Sequence, residues 1–190
     1  IYVGQSKAIT VRYNFVENNV AGIEIENSRD ALVIDNFVTR NTGGILVFDL
    51  PNLPVMGGGN TLITNNTVVG NDTQNFAPKG NIVASVPTGT GIMIMANDGV
   101  GVMRNRIDGN PTAAIMVVSY PKPFVDTRYN PLPRSIVLAH NALGRNANNP
   151  QIPGGAEIAA AFGGRLPQVL WDGLGNPPGA DTGNGEAWSL

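Results

Sequence analysis

The stretch Val33-Ile34-Asp35-Asn36-Phe37-Val38-Thr39-Arg40-Asn41-Thr42-Gly43-Gly44-Ile45-Leu46-Val47 sets the fold, because its pattern recurs along the chain. An apolar residue is followed three positions on by Asn, then two on by a second apolar residue, then three on by a second Asn. The copies are Val11-Asn14-Val16-Asn19, Val33-Asn36-Val38-Asn41, Ile63-Asn66-Val68-Asn71, Val102-Asn105-Ile107-Asn110 and Leu138-Asn141-Leu143-Asn146. A second element follows some copies: Gly22-Ile23-Glu24-Ile25, Gly44-Ile45-Leu46-Val47, Gly91-Ile92-Met93-Ile94 and Ala114-Ile115-Met116-Val117. Ile1-Tyr2-Val3 fits the same slot. Periods of this length mark stacked repeats, in which each unit buries its apolar side only against its neighbours. Within each period the apolar residues alternate with a spacing of two, the signature of strands rather than helices.

Three short strands per period with Asn at the corners predict a right-handed parallel β-helix of about five coils. The inward columns are Ile1, Ile23, Ile45, Ile92, Ile115 and Val3, Ile25, Val47, Ile94, Val117 on the first strand. The second strand supplies Val11, Val33, Ile63, Val102, Leu138, and the third Val16, Val38, Val68, Ile107, Leu143. β-Branched residues dominate, as in strands buried on a stack. Asn suits a corner because it tolerates the left-handed backbone, and stacked amides can bond from coil to coil.

The coils are expected over residues 1–147, with inserts at 51–59, 72–89 and 121–133. All three flank the first strand and are expected to wall its outward face, since inserts gathered on one face of a solenoid often mark the binding face. Residues 148–190, rich in Gly and Pro, are expected to form an irregular tail or cap, with a short helix at 156–162. The Ile1 end shows no comparable cap, which implies preceding coils or a second chain stacked there.

The floor between the walls reads Tyr2, Glu24, Leu46, Met93, Met116 in one outward column and Gly4, Glu26, Phe48, Met95, Val118 in the next. It is an apolar patch with an acidic end, and such a patch normally has a cover. The protein's own inserts, a partner chain and a sugar are the three candidate covers. Strand spacing brings Glu24, Glu26 and Asp49 onto adjacent coils, where they are candidates for acid–base catalysis or for holding Ca²⁺ through oxygen ligands. Tyr2 and Phe48 of the floor, with Asp98, Tyr120, Lys122 and Arg128 of the walls, are the candidate binding residues.

Composition excludes several classes. With 12 Lys+Arg against 14 Asp+Glu the net charge is −2, so no basic face exists for nucleic acid. The absence of Cys removes disulfides, thiolate metal sites and a Cys nucleophile. A single histidine, His140, is too few for a histidine metal site, and it is expected on the surface at a corner. Gly57-Gly58-Gly59 lacks the Lys-Ser/Thr of a phosphate loop, and no apolar run is long enough to span a membrane.

Tyr2-Val3-Gly4-Gln5-Ser6, Ala21-Gly22-Ile23-Glu24-Ile25-Glu26-Asn27-Ser28, Asn41-Thr42-Gly43-Gly44-Ile45-Leu46-Val47-Phe48-Asp49 and the tail Leu170-Trp171-Asp172-Gly173 resemble bacterial exported parallel β-helix repeat proteins of uncharacterised function, within the pectin lyase-like superfamily. The resemblance implies a periplasmic or extracellular location and, from the usual gene neighbourhood, a secreted c-type-cytochrome-like partner. The wider superfamily implies a polysaccharide ligand in a cleft on the first sheet. It also holds lyases, hydrolases and epimerases, but this chain lacks the Asp-Pro-His motif of the epimerases, the paired Asp of polygalacturonases and the Arg/Lys floor of pectate lyases. Binding of a glycan or a partner protein is therefore the leading expectation. Polysaccharide processing at Glu24, Glu26 and Asp49 is the alternative, and a structural solenoid segment is a third reading.

Overall fold

The computed structural model describes residues 1–175 and 179–181. Its strands form three parallel sheets. The first sheet holds Tyr2–Gly4, Ala21–Glu26, Gly43–Phe48, Thr90–Met95, Ala113–Val118 and Val169–Trp171. The second holds Lys7–Arg12, Arg29–Ile34, Gly59–Thr64, Asp98–Met103, Val137–Ala139 and Gly179–Asp181. The third holds Phe15–Val16, Phe37–Thr39, Thr67–Val69, Arg106–Asp108 and Ala142–Leu143. Each strand pairs with its counterpart one coil away, so the chain is a right-handed parallel β-helix of five full coils, with two strands of a sixth. The right hand is the one that parallel crossovers take in nearly all cases.

The registers follow the sequence alignment of the repeats. Ile23 pairs with Ile45, Ile45 with Ile92, and Ile92 with Ile115. Inserts 51–59 and 72–89, which fall between Ile45 and Ile92, are looped out without shifting this register. The inward columns form one continuous core, in which Ile23, Ile45, Ile92, Val33, Ile63, Val68 and Ile107 are fully buried. Each such side chain contributes roughly 1.5–3 kcal/mol relative to exposure.

Two ladders of Asn amides run along the corners on either side of the third sheet. In one, Nδ2 of Asn14, Asn36, Asn66 and Asn105 donates to Oδ1 of the next Asn at 2.8, 2.9, 3.0 and 3.0 Å. In the other, Asn19, Asn41, Asn71 and Asn110 do the same at 3.2, 3.0, 3.1 and 3.0 Å. The expected left-handed backbone, however, falls one residue earlier than the repeat Asn. Tyr13, Asp35, Asn65, Arg104 and His140 carry φ of 58°, 55°, 53°, 55° and 54°. The residue before the ladder makes the turn and projects to solvent, which leaves the Asn side chain pointing inward. There its Nδ2 also bonds backbone carbonyls, as when Asn66 donates to Val33 and Thr64. The ladder Asn thus satisfies buried main chain, and corner tolerance belongs to its neighbour.

The tail is more regular than its composition suggests. It forms the helix Gly155–Ala161, and then Val169–Trp171 joins the first sheet beside Ala113–Val118. Val169 and Trp171 pack on the inner core while Leu170 packs on the outer cluster, the alternation of a strand. Gln168 Oε1 accepts from Asn146 Nδ2 at 2.8 Å and so ends the second ladder. Ala147, Ala159 and Leu166 form a small core of their own beneath this cap. Residues 176–178 and 182–190 of the expected tail lie outside the described residues.

Candidate functional site

The outward face of the first sheet has two ends with different fates. At the far end Leu46, Phe48, Met93, Met95 and Met116 are 0%, 1%, 5%, 4% and 6% exposed. The cover is the protein's own. Ile82, Val83 and Val86 come from insert 72–89, Tyr120 and Tyr129 from the segment around insert 121–133, and Leu50 from just before insert 51–59. Tyr120, Phe124 and Tyr129 meet edge to face with ring centroids 5.0–6.4 Å apart. The Tyr129 hydroxyl donates to the Asp49 backbone carbonyl at 2.6 Å, tying the third insert to the end of the strand Gly43–Phe48. Of the three candidate covers, the inserts fill the place. The walls expected on either side of a floor instead close over it, because the apolar columns offer them a surface to bury.

At the near end the carboxylates sit at the margin of this roof. Glu24 and Glu26 are each 8% exposed. The Tyr2 hydroxyl donates to Glu26 Oε1 at 2.7 Å, and that bond pushes the phenol up to about 12. The Tyr2 ring lies over Gly4, where a Cβ would collide with it. Burial first, and the charge of Glu26 second, raise Glu24 to about 7. Asp49 stands apart from this pair. Its Oδ1 accepts the amides of Gly57 and Gly58 at 3.1 Å each, so it pins the loop that opens into the second sheet. Burial pushes its carboxyl up while those amides pull it down. No hydrogen bond joins Asp49 to either glutamate, and no group of three His, Cys, Asp or Glu converges as a cation site among the described residues.

The remaining expected binding residues are not brought together. Phe48 is buried under the roof, and Tyr120 belongs to its aromatic cluster. Arg128 is exposed but holds Asp126 through Nε and Nη2 at 3.0 and 2.7 Å. Asp98 faces Arg134 at 3.4 Å on the second-sheet side. Lys122 is exposed on the third insert.

A groove of about 710 Å³, absent from the sequence expectations, lies at the corner between the third and first sheets. Asp72, Gln74 and Thr88 of insert 72–89 line one side, and Asp108, Arg145, Asn148, Asn149 and Gln151 line the rest. Its frame is fixed by main chain: Arg145 N donates to Asp108 Oδ1 at 2.8 Å, Asn149 N to the Pro111 carbonyl at 2.9 Å, and Gln151 N to Thr112 Oγ1 at 2.8 Å. A signal for it exists in the sequence. Asp72, Asp108 and Arg145 each lie within two residues of a second-ladder Asn (Asn71, Asn110, Asn146), so the repeat stacks them in neighbouring coils.

A solenoid closed by amide ladders, with its variable groups on the outer corners and faces, is a parallel β-helix protein of the repeat type. The family model described as "Periplasmic copper-binding protein (NosD)" matches residues 1–125, and the chain belongs to that family. This agrees with the expected extracytoplasmic location, and no helix among the described residues is long and apolar enough to cross a membrane. No curated protein and no solved structure matches the chain.

The family description names copper. There is no Cys and one His, against five Met. Three of those methionines lie on the outward face of the first sheet. Met93 pairs with Met116 across neighbouring first-sheet strands, and Met95 follows on the same outward face as Met93. Thioethers are among the soft ligands that Cu(I) accepts.

Proposed function

We propose that this protein is a periplasmic β-helix that binds an oligosaccharide in the groove between insert 72–89 and the tail. The observation that carries this reading is the lining: side-chain amides of Gln74, Asn148, Asn149 and Gln151, the carboxylates of Asp72 and Asp108, and the Arg145 guanidinium, around about 710 Å³. These groups supply donors and acceptors in fixed planes, which suits hydroxyl-rich ligands, and loops on a rigid scaffold are where binding groups usually reside. The binding expected on the first-sheet face is moved to the adjoining corner, because the apolar part of that face is roofed. The test is calorimetric titration with a panel of acidic and neutral oligosaccharides. Arg145→Ala with Asn148→Ala should weaken binding by at least about tenfold, the effect of losing roughly 1.4 kcal/mol of polar contact. Absence of binding across the panel overturns the reading. Turnover lost in Glu26→Gln would instead support catalysis at Glu24, Glu26 and Asp49.

Copper binding is a second property we propose for the chain, favoured by the clustering of Met93, Met95 and Met116. The metal would supply a soft Lewis-acid centre. The chain's part is to hold thioethers together and keep water away from them.

A further inference from the structure

The outward face of the third sheet carries a pair of rings outside both cores. Phe15 and Phe37 pair across neighbouring coils and are 62% and 40% exposed. Thr67, Arg106 and Ala142 continue their column through the following coils. The two rings are parallel within 9°, with centroids 5.4 Å apart. Rings lying side by side in one plane at that distance would bring their nearest carbons well inside the normal contact of about 3.5 Å. The pair therefore overlaps face to face, as offset stacking requires. Phe37 turns one face to Phe15 and the other toward Thr67.

That second face borders a notch. Thr67 is a small side chain between two long ones, with Phe37 one coil before it and Arg106 one coil after. Strand spacing separates Phe37 and Arg106 by about 9.5 Å, and a ring in contact with both needs roughly 7–8 Å. Arg106 leans along its own strand toward Asp108, 3.7 Å from its guanidinium. The notch opens on the groove already described, because Val69 and Asp108 lie two residues along the same strands and line that groove. Two residues of strand span about 6.7 Å, so the notch is one step beyond the groove. An aromatic face bounded by a guanidinium and a carboxylate suits a sugar ring, whose C–H face packs on the aromatic while its rim hydroxyls meet the polar groups. A single sugar held in the groove does not reach Phe37, whereas a chain does. We infer that the groove holds a linear oligosaccharide whose next ring stacks on Phe37 over Thr67, so that the site reads chain length. This inference rests on the oligosaccharide reading above and names its ligand as a chain.

The experiment is calorimetric titration of the whole chain with the dimer and the hexamer of every linear series in the panel, cello-oligosaccharides and oligogalacturonates among them. In the wild type the hexamer of a series that binds should do so about tenfold more tightly than its dimer, the worth of one stacked ring. Phe37→Ala should remove that gain and leave the dimer unchanged, whereas Arg145→Ala with Asn148→Ala should weaken both. Thr67→Trp keeps the Phe37 ring but fills the notch, and it should remove the same gain. Folding of each variant is checked by circular dichroism, and Thr67→Trp decides the matter if Phe37→Ala does not fold. Equal affinity for dimer and hexamer in the wild type overturns the stacking position while the groove reading stands. So does a gain that persists in a folded variant, or a Phe37→Ala loss that is equal for dimer and hexamer. Should no oligomer bind, both readings fall.

Discussion

The two ends of the first sheet's outward face share the same columns and the same strand pairing, yet one is interior and the other is a margin. Leu46, Phe48, Met93, Met95 and Met116 lie under loops, whereas Tyr2 is 62% exposed beside Glu24 and Glu26. The difference lies in the side chains that the repeat leaves free to vary. Apolar residues in an outward column make a second core once an insert can reach them, and each insert then ceases to be a wall. Acidic residues stand at the other end of the same columns, where Tyr2 rather than an insert reaches Glu26. A solenoid can thus have two cores, an inner one dictated by the repeat and an outer one dictated by its interruptions.

The sharpest way to break that comparison is to remove a side chain from the outer core. Phe48→Ala should cost about 3–5 kcal/mol, as for a Phe in an inner core, because Phe48 is 1% exposed. Urea unfolding should show it as a large drop in midpoint. A loss below about 1 kcal/mol would mean that the roof is loosely laid and that the outer cluster is no second core.

The acidic end should reveal itself through pH. Glu24 titrates at about 7 in the fold against an ordinary 4.5, raised by burial and by Glu26. The unfolded chain loses this proton first, so its contribution to stability is complete below pH 4.5 and is lost as pH rises through about 7. With solvent near, the loss should be on the order of 1–2 kcal/mol. Melting temperature should fall over that window in the wild type, and Glu24→Gln should flatten this fall. An equally steep fall in the variant would place the titration elsewhere.

How far the sequence foretold these two ends depends on what fixes each of them. The columns were legible: Glu24 pairs with Leu46 and Met93 with Met116 because the Asn spacing fixes the phase of every strand. The inner core and both ladders were legible for the same reason. The corner backbone was misplaced by one residue, since the identity of Tyr13, Arg104 or His140 gives no hint of positive φ, whereas the Asn beside it does. The roof was legible only as one of three options, because Ile82, Val83, Val86 and Tyr129 sit in inserts with no repeat to set their phase. The groove was hidden for a related reason: Arg145 and Gln151 lie where the repeat ends, and their neighbours across the groove come from an insert. Trp171 and Val169 show the limit from the other side, since a coil can continue through a strand that lacks the Asn pattern altogether.

The smallest effect is also the closest comparison, because each end carries one tyrosine hydroxyl bound to an acceptor on the neighbouring structure. Tyr129 donates to the Asp49 carbonyl at 2.6 Å from a ring that is 5% exposed, and Tyr2 donates to Glu26 at 2.7 Å from a ring that is 62% exposed. Deleting a buried donor leaves its acceptor without water to replace it, so Tyr129→Phe should cost about 1–2 kcal/mol. Deleting an exposed donor lets water take its place, so Tyr2→Phe should cost about 0.5 kcal/mol or less despite the charge on its acceptor. Chemical denaturation of the two variants side by side measures the gap. Equal costs would show that the margin is as dry as the roofed end, and the boundary drawn at the glutamates would then have to move toward Tyr2.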